Sequence, residues 1–326
     1  MNKFRKNAAK LLMISLIFTV VLAVLPACSG NTLYKEGSGS LNVVCTSFPP
    51  FDLARQIGKD KVTLTVLQDN GADLHNYSPT AKTLAALNEA DVFICVGGES
   101  DKKWVEDAIS SSQNLDLKVV YLTESVELKH AELEHHNHEE NEHEHSDGDG
   151  HSGDEHVWLS LKNALKITDS ITAAFIEKDA ENADAYKENA DVFKSKISVL
   201  DAEYQKAVNE AKNKTVVVAD RFPFIYLTSD YGLCYYAAFS GCSTEVNSDF
   251  ATQIKLINAV KEHSLSAVIV TEGGNKELAD NIVSETGCKK VVLNSMQSIT
   301  RAEIQNGASY LGIMAENLTA LKEALA

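Results

Sequence analysis

Between His130 and His156 the chain carries His135, His136, His138, His143, His145 and His151, set among Glu, Asp, Asn, Ser and Gly. Neutral imidazole is the commonest metal-ligating side chain near neutral pH, and a short His-rich tract is a metal signal by composition. Nitrogen donors of this kind suit a borderline ion such as zinc. The same composition also describes a solvated acidic loop. A purification tag fits poorly, because the tract is internal, irregular and runs directly into Val157-Trp158-Leu159. A flexible tract binds ions weakly, so its expected part is accessory: it raises the ion concentration near a tighter site elsewhere.

That tighter site needs a frame, and the patterning supplies one. Leu41 to Thr46, Val62 to Leu67 and Val92 to Val96 are short apolar, β-branched-rich runs, with a helical pattern over 79–90 ahead of the third. The same alternation returns at Val216 to Ala219, Ala267 to Thr271 and Val291 to Leu293, with helical stretches over 250–262, 276–285 and 308–325. Strands separated by helices build parallel sheets, so the fold class is α/β in two lobes, each a mainly parallel sheet with flanking helices. Between them Tyr186, Ala190, Phe193, Ile197, Leu200, Tyr204, Val208 and Ala211 step by three or four, and neither Gly nor Pro interrupts 182–212. That is one face of a single helix, on the order of 45 Å long, joining the lobes. The expected domains are a signal peptide over 1–27, a flexible linker over 28–40, a first lobe over 41–165 containing the His-rich loop 130–155, the linking helix over 182–213, and a second lobe over 214–326.

The first residues give the destination. Lys3, Arg5, Lys6 and Lys10 precede an apolar stretch from Leu11 to Val24 and the site Leu25-Pro26-Ala27-Cys28. This reads as a secretory signal with a lipobox, although Pro26 is unusual there, and it makes Cys28 the expected lipidation site. The apolar stretch is shorter than the roughly 20 residues of a membrane-spanning helix. The chain is therefore expected outside the cytoplasm, held to a bacterial membrane by lipid. A net charge of −16 over 326 residues argues against nucleic acid and suits the attraction of cations. Besides Cys28 the cysteines are Cys45, Cys95, Cys234, Cys242 and Cys288, with no CxxC spacing. Neither a tetrathiolate zinc site nor a disulfide framework follows, and one bridge among the last three stays open.

Several ordered motifs resemble one family. The segment Gly71-Ala72-Asp73-Leu74-His75-Asn76-Tyr77-Ser78-Pro79-Thr80, with Leu87-Asn88-Glu89-Ala90-Asp91, Gly97-Gly98-Glu99 and Trp104, resembles the first ligand region of the zinc and manganese solute-binding proteins of ABC transporters, the ZnuA/TroA type. Asp154-Glu155-His156-Val157-Trp158-Leu159-Ser160 resembles that family's second His motif, placed just after its His-rich loop. Tyr310-Leu311-Gly312-Ile313-Met314 with Asn317 resembles its last helix. The resemblance implies two α/β lobes on one long helix with the metal in the cleft between them. It implies the work too: capture of a divalent ion, Zn2+ or alternatively Mn2+, and delivery to a membrane permease driven by a cytoplasmic ATPase. It implies a monomer and no catalysis; the chain contains neither a GxxxxGK[ST] loop nor an HExxH motif.

By the same resemblance His75 and His156 are metal ligands. The family usually places a third, His or Glu, after the first strand of the second lobe. Here Val216 to Ala219 leads into Asp220-Arg221-Phe222-Pro223-Phe224. With no gap Arg221 falls at the ligand position, and a guanidinium has no lone pair to donate. One extra residue puts Asp220 there, and Asp220 is the expected third ligand. Gln297 stands where the family often has an acid. Glu272, after the strand 267–271, is expected at the metal or hydrogen-bonded to a ligand. Imidazole-rich sites and the His tract favour zinc over manganese. A zinc hydrolase and a surface adhesion or zinc-storage lipoprotein are the alternative classes.

Overall fold

The computed structural model describes residues 33–68, 71, 77–130, 134–135, 153–241, 243, 248–274 and 276–326. All of them belong to the unit Leu33–Ala326. The signal, Cys28, His75, Cys242 and His136, His138, His143, His145 and His151 lie outside the described residues, and His135 is described in its backbone alone.

Among the described residues two five-stranded sheets organise the chain, and each has one antiparallel edge. The first contains β1 (Tyr34–Gly37), β2 (Leu41–Cys45), β3 (Val62–Val66), β4 (Val92–Cys95) and β5 (Lys118–Tyr121), in the order β1-β3-β2-β4-β5. Only β1 runs antiparallel there, against β3. The second contains β6 (Glu134–His135), β7 (Thr215–Phe222), β8 (Cys234–Ser240), β9 (Ala267–Thr271) and β10 (Lys289–Leu293), in the order β10-β9-β7-β8-β6. Its antiparallel edge is β6, with Glu134 opposite Tyr236 and His135 opposite Tyr235.

Side-chain alternation along each strand divides the core. In β9, Ala267 and Ile269 join the large core cluster, whereas Val268 and Val270 join a second cluster on the other face. In β4, Val92 and Ile94 face the large cluster while Phe93 and Cys95 face a third. The outer face of the first sheet is covered by α2 (Ala81–Asn88) and α3 (Lys102–Ser111), that of the second by α7 (Phe250–Glu262) and α8 (Glu277–Thr286).

The inner faces of both sheets share one core. Into it pack α1 (Phe48–Gly58), α4 (Leu161–Lys178), α5 (Ala183–Glu210) and α10 (Tyr310–Ala324). Helix α5 is the long connector: its buried residues are Tyr186, Ala190, Phe193, Ile197, Leu200, Tyr204 and Val208, the stripe that the periodicity predicts. At 28 residues it spans about 42 Å. The short α6 (Ile225–Tyr231) follows β7, and α9 (Arg301–Gln305) precedes α10.

Strand β1 departs from expectation. It lies inside the stretch 28–40 expected to be a flexible linker, whose Gly37-Ser38-Gly39 masks its character. Tyr34 packs against Phe51 with ring centroids 6.0 Å apart, and the backbone pairs along β3 from Tyr34↔Val66 to Gly37↔Thr63. The described cysteines Cys45, Cys95 and Cys288 carry buried, unbridged thiols.

Candidate metal centre

Open parallel sheets bind ligands beyond the carboxyl ends of their strands, where the strand order reverses. In the first sheet that point lies between β2 and β4, in the second between β7 and β9. The segment Asp154-Glu155-His156 runs between the two. Glu155 faces the first lobe: its Oε2 accepts the Ser100 N–H at 2.9 Å, and it lies so close to Gly98 that a Cβ there would sit 2.1 Å from that oxygen. Asp154 and His156 face the second. A Cβ on Gly241, just past β8, would sit 2.8 Å from Asp154 Oδ2, 3.1 Å from His156 Cε1 and 2.9 Å from the Phe222 carbonyl. Glycine alone fits this approach.

His156 is fully buried and its ring is fixed from several sides. Asp154 Oδ1 accepts both the His156 backbone N–H and Nδ1–H, each at 2.9 Å. A carboxylate only accepts, so the proton sits on Nδ1 and the lone pair on Nε2. This carboxylate–imidazole pairing orients metal-binding histidines generally and raises their basicity. Trp158 packs edge-on, 5.3 Å between centroids, and its indole N–H donates to the Ser295 carbonyl at 2.9 Å. The Asp154 carbonyl accepts the Tyr226 hydroxyl at 2.5 Å. Burial pushes the imidazole pKa down, but the charge and hydrogen bond of Asp154, helped by Glu155 and opposed by Arg221, leave it above the ordinary value.

The other expected residues occupy the second lobe's wall. Asp220 and Arg221 are not in a turn; β7 runs on to Phe222, and a bulge lies between Val218 and Arg221. From Val218↔Ala237 to Arg221↔Phe239, β7 advances three positions while β8 advances two, so β7 carries one extra residue there as a bulge in the strand. Asp220 Oδ2 accepts the Thr271 hydroxyl at 2.6 Å and its backbone N–H at 3.1 Å, and Oδ1 accepts the Arg221 N–H at 2.8 Å. The carboxylate thus stitches the ends of β7 and β9 together. Glu272 holds the loop after β10: it accepts Ser295 N–H at 2.6 Å, Ser295 Oγ–H at 2.7 Å and Gln297 N–H at 3.3 Å. Burial raises its carboxyl above the usual range, against these hydrogen bonds. Gln297 reaches across and donates its amide Nε2 to His156 Nε2.

Among the described residues no three His, Cys, Asp or Glu side chains converge on one point. His156 is the one described imidazole expected at the metal, and its partner His75 lies outside the described residues. Asp154 has a signal in the sequence, a carboxylate two residues before the histidine. Ser295 and Gly241 carry no local signal at all.

The comparisons with known proteins agree with this architecture. Residues 43–324 match the family described as the periplasmic zinc-uptake complex component A. The high-affinity zinc uptake system protein ZnuA of Bacillus subtilis is 32% identical over 306 residues, covering 93% of this chain and 94% of that protein. The zinc-binding lipoprotein AdcA of Streptococcus pneumoniae is 30% identical over 311 residues, and there the match spans 95% of this chain but only 60% of the relative's length. Among solved structures, the Zn(II)-bound ZnuA-like domain of S. pneumoniae AdcA aligns at a TM-score of 0.70 and 28% identity, over 88% of this chain and 99% of that one. The lipoprotein YcdH of B. subtilis, described as metal-dependent, aligns at 0.72 and 29%, over 88% and 100%. With a family match running nearly end to end through both lobes and the seam that holds His156, the chain belongs to the ZnuA family of periplasmic zinc-uptake components, a family of transport proteins rather than of enzymes.

Proposed function

We propose that this chain captures Zn2+ in the cleft between its lobes and delivers it to an ABC permease driven by a cytoplasmic ATPase. The observation that carries the reading is the fixed tautomer of His156: Asp154 takes Nδ1–H and leaves Nε2 as a donor directed at the second lobe. His75, which falls between β3 and α2 in the sequence, is the second nitrogen ligand. The names of the relatives, zinc-binding and zinc-uptake proteins, support zinc as the cargo. Imidazole donors favour zinc over manganese as well.

Asp220 serves the site as a latch between β7 and β9, accepting the Thr271 N–H and hydroxyl and the Arg221 N–H. The His-rich stretch gathers ions in the vicinity. Residues 1–27 act as the export signal and lipid on Cys28 tethers a monomer to the outer face of the membrane. No helix among the described residues is long and apolar enough to cross a membrane.

The test is zinc titration against a competing chelator with His75→Ala and His156→Ala. Each variant is expected to lose the tight zinc and keep only weak, multiple binding by the tract. A variant that keeps parental tight binding removes its histidine from the site.

A further inference from the structure

The loop after β10 is built to aim one side chain. Met296, fully buried and flanked by Ser295 and Gln297, has φ of 64°, in the left-handed region that a non-glycine residue rarely adopts. Such backbone persists only where the surroundings over-determine it, and it concentrates at functional sites. Here four residues do so. Asn317, on α10 and itself buried, accepts the Asn294 N–H at 2.7 Å and donates to its carbonyl at 2.8 Å. Asn294 Oδ1 accepts the Met296 N–H at 2.7 Å. Glu272 holds Ser295 and Gln297 from below, and Trp158 holds the Ser295 carbonyl from across the seam.

The product of this scaffold is a carboxamide on the ligand atom. Gln297 Nε2 donates to His156 Nε2, the one imidazole nitrogen that Asp154 leaves with a lone pair, and the Ser295 hydroxyl lies 3.3 Å from Gln297 Oε1. One lone pair cannot serve an N–H and a metal ion at once. We propose that Gln297 is a built-in competitor of the metal, a neutral donor that occupies His156 in the empty site and must swing away before the ion binds. It therefore sets the affinity of the site by weakening it. The competitor is uncharged, so it neither attracts a dication as a carboxylate would nor repels it, and it exacts the same toll from every metal that enters. An equal toll lowers every affinity by the same factor and leaves the ratio between metals unchanged. A buried metal-free imidazole also keeps its hydrogen bond, so the site stays ordered when the ion is released.

This inference rests on the reading of His156 as a ligand, and the experiment separates the two. In the full chain, the tight zinc affinity of Gln297→Ala and Gln297→Leu is measured by chelator competition beside the parent and His156→Ala, with melting temperatures recorded to show that each variant is folded. Loss of one competing hydrogen bond is expected to tighten zinc by about 2- to 10-fold and manganese by the same factor, so that the zinc-to-manganese preference is unchanged. Unchanged affinity overturns the proposal. Weaker binding in Gln297→Ala that Gln297→Glu restores makes the side chain a ligand, and overturns it too. Parental zinc binding by His156→Ala would instead sink the underlying site. Independently of any variant, nitrogen-15 spectra of the metal-free parent at about pH 8, above the ordinary imidazole range, are expected to show His156 protonated on Nδ1 with Nε2 as a hydrogen-bond acceptor. A proton on Nε2 would reverse the donor and overturn the proposal.

Discussion

Asp154 and Asp220 make an instructive pair. Each is a buried aspartate at the edge of the seam, each has a basic residue close behind it in sequence, and each accepts more than one hydrogen bond. Their duties diverge because of what they bond. Asp154 spends Oδ1 on an imidazole, which converts that ring into a directed donor. Asp220 accepts the backbone N–H and hydroxyl of Thr271 and its own neighbour's N–H, which joins two strands. A carboxylate beside a metal site is thus defined by where its lone pairs already go, not by its presence.

The comparison breaks most sharply at the histidine that one aspartate serves and the other does not. His156→Ala is expected to lower tight zinc affinity by more than about 100-fold, since a tetrahedral site that loses one of its ligands cannot be completed; chelator competition reads it directly. Next comes Asp154→Asn, which can no longer enforce the proton on Nδ1. Removing such a partner costs roughly 10- to 100-fold in metal affinity, and an affinity equal to the parent's would show that the ring needs no such anchor.

Acid sharpens the same contrast. The His156 pKa lies above its ordinary value, so the metal-free folded chain holds that proton more tightly than the unfolded chain does. Its contribution to stability is present below the unfolded value of about 6.5 and is lost as pH rises through the higher folded value. Zinc requires the neutral ring, so affinity is expected to begin falling above about pH 6.5 and to drop by roughly tenfold or more per unit below that. Calorimetric titrations from alkaline to mildly acidic pH check this, and a flat profile would assign the metal to carboxylates.

The smallest expected effect on binding belongs to Asp220. Asp220→Ala should change zinc affinity by less than about threefold while lowering stability by about 1 to 3 kcal/mol, because Thr271 loses its acceptor. Denaturant midpoints and zinc titration on the same preparation separate the two, and a loss of binding on the scale of His156→Ala would make Asp220 a ligand after all.

Much of the frame can be read before folding. The strand 267–271 and the helix 250–262 have the bounds that their patterns predict, because a strand buried on both faces is a continuous apolar run and a helix buried on one face repeats every three or four residues. The linking helix follows for the same reason. Other elements are hidden by their composition. Helix α1 opens on Phe48-Pro49-Pro50, which reads as a loop although proline is well tolerated in a first helical turn. Strand β8 begins Cys234-Tyr235-Tyr236 and has no clean alternation, and β1 is four residues long. At the site, His156 is legible from its motif and Asp154 from its spacing. The partners that decide their roles are not: Gln297 lies 141 residues from His156, and Thr271 lies 51 from Asp220. No local pattern encodes contacts of that range, so the sequence names candidate ligands without showing which lone pairs are still open.

The core shared by the two inner faces has a thermodynamic consequence. Because residues of both sheets pack with α1, α4, α5 and α10 in one continuous cluster, neither lobe can melt without exposing apolar surface of the other. Unfolding of the two lobes is therefore expected to be coupled, and an ion bound at the seam to raise the unfolding midpoint of both by mass action. A probe of the shared core in either lobe is then expected to report how much of the protein is loaded.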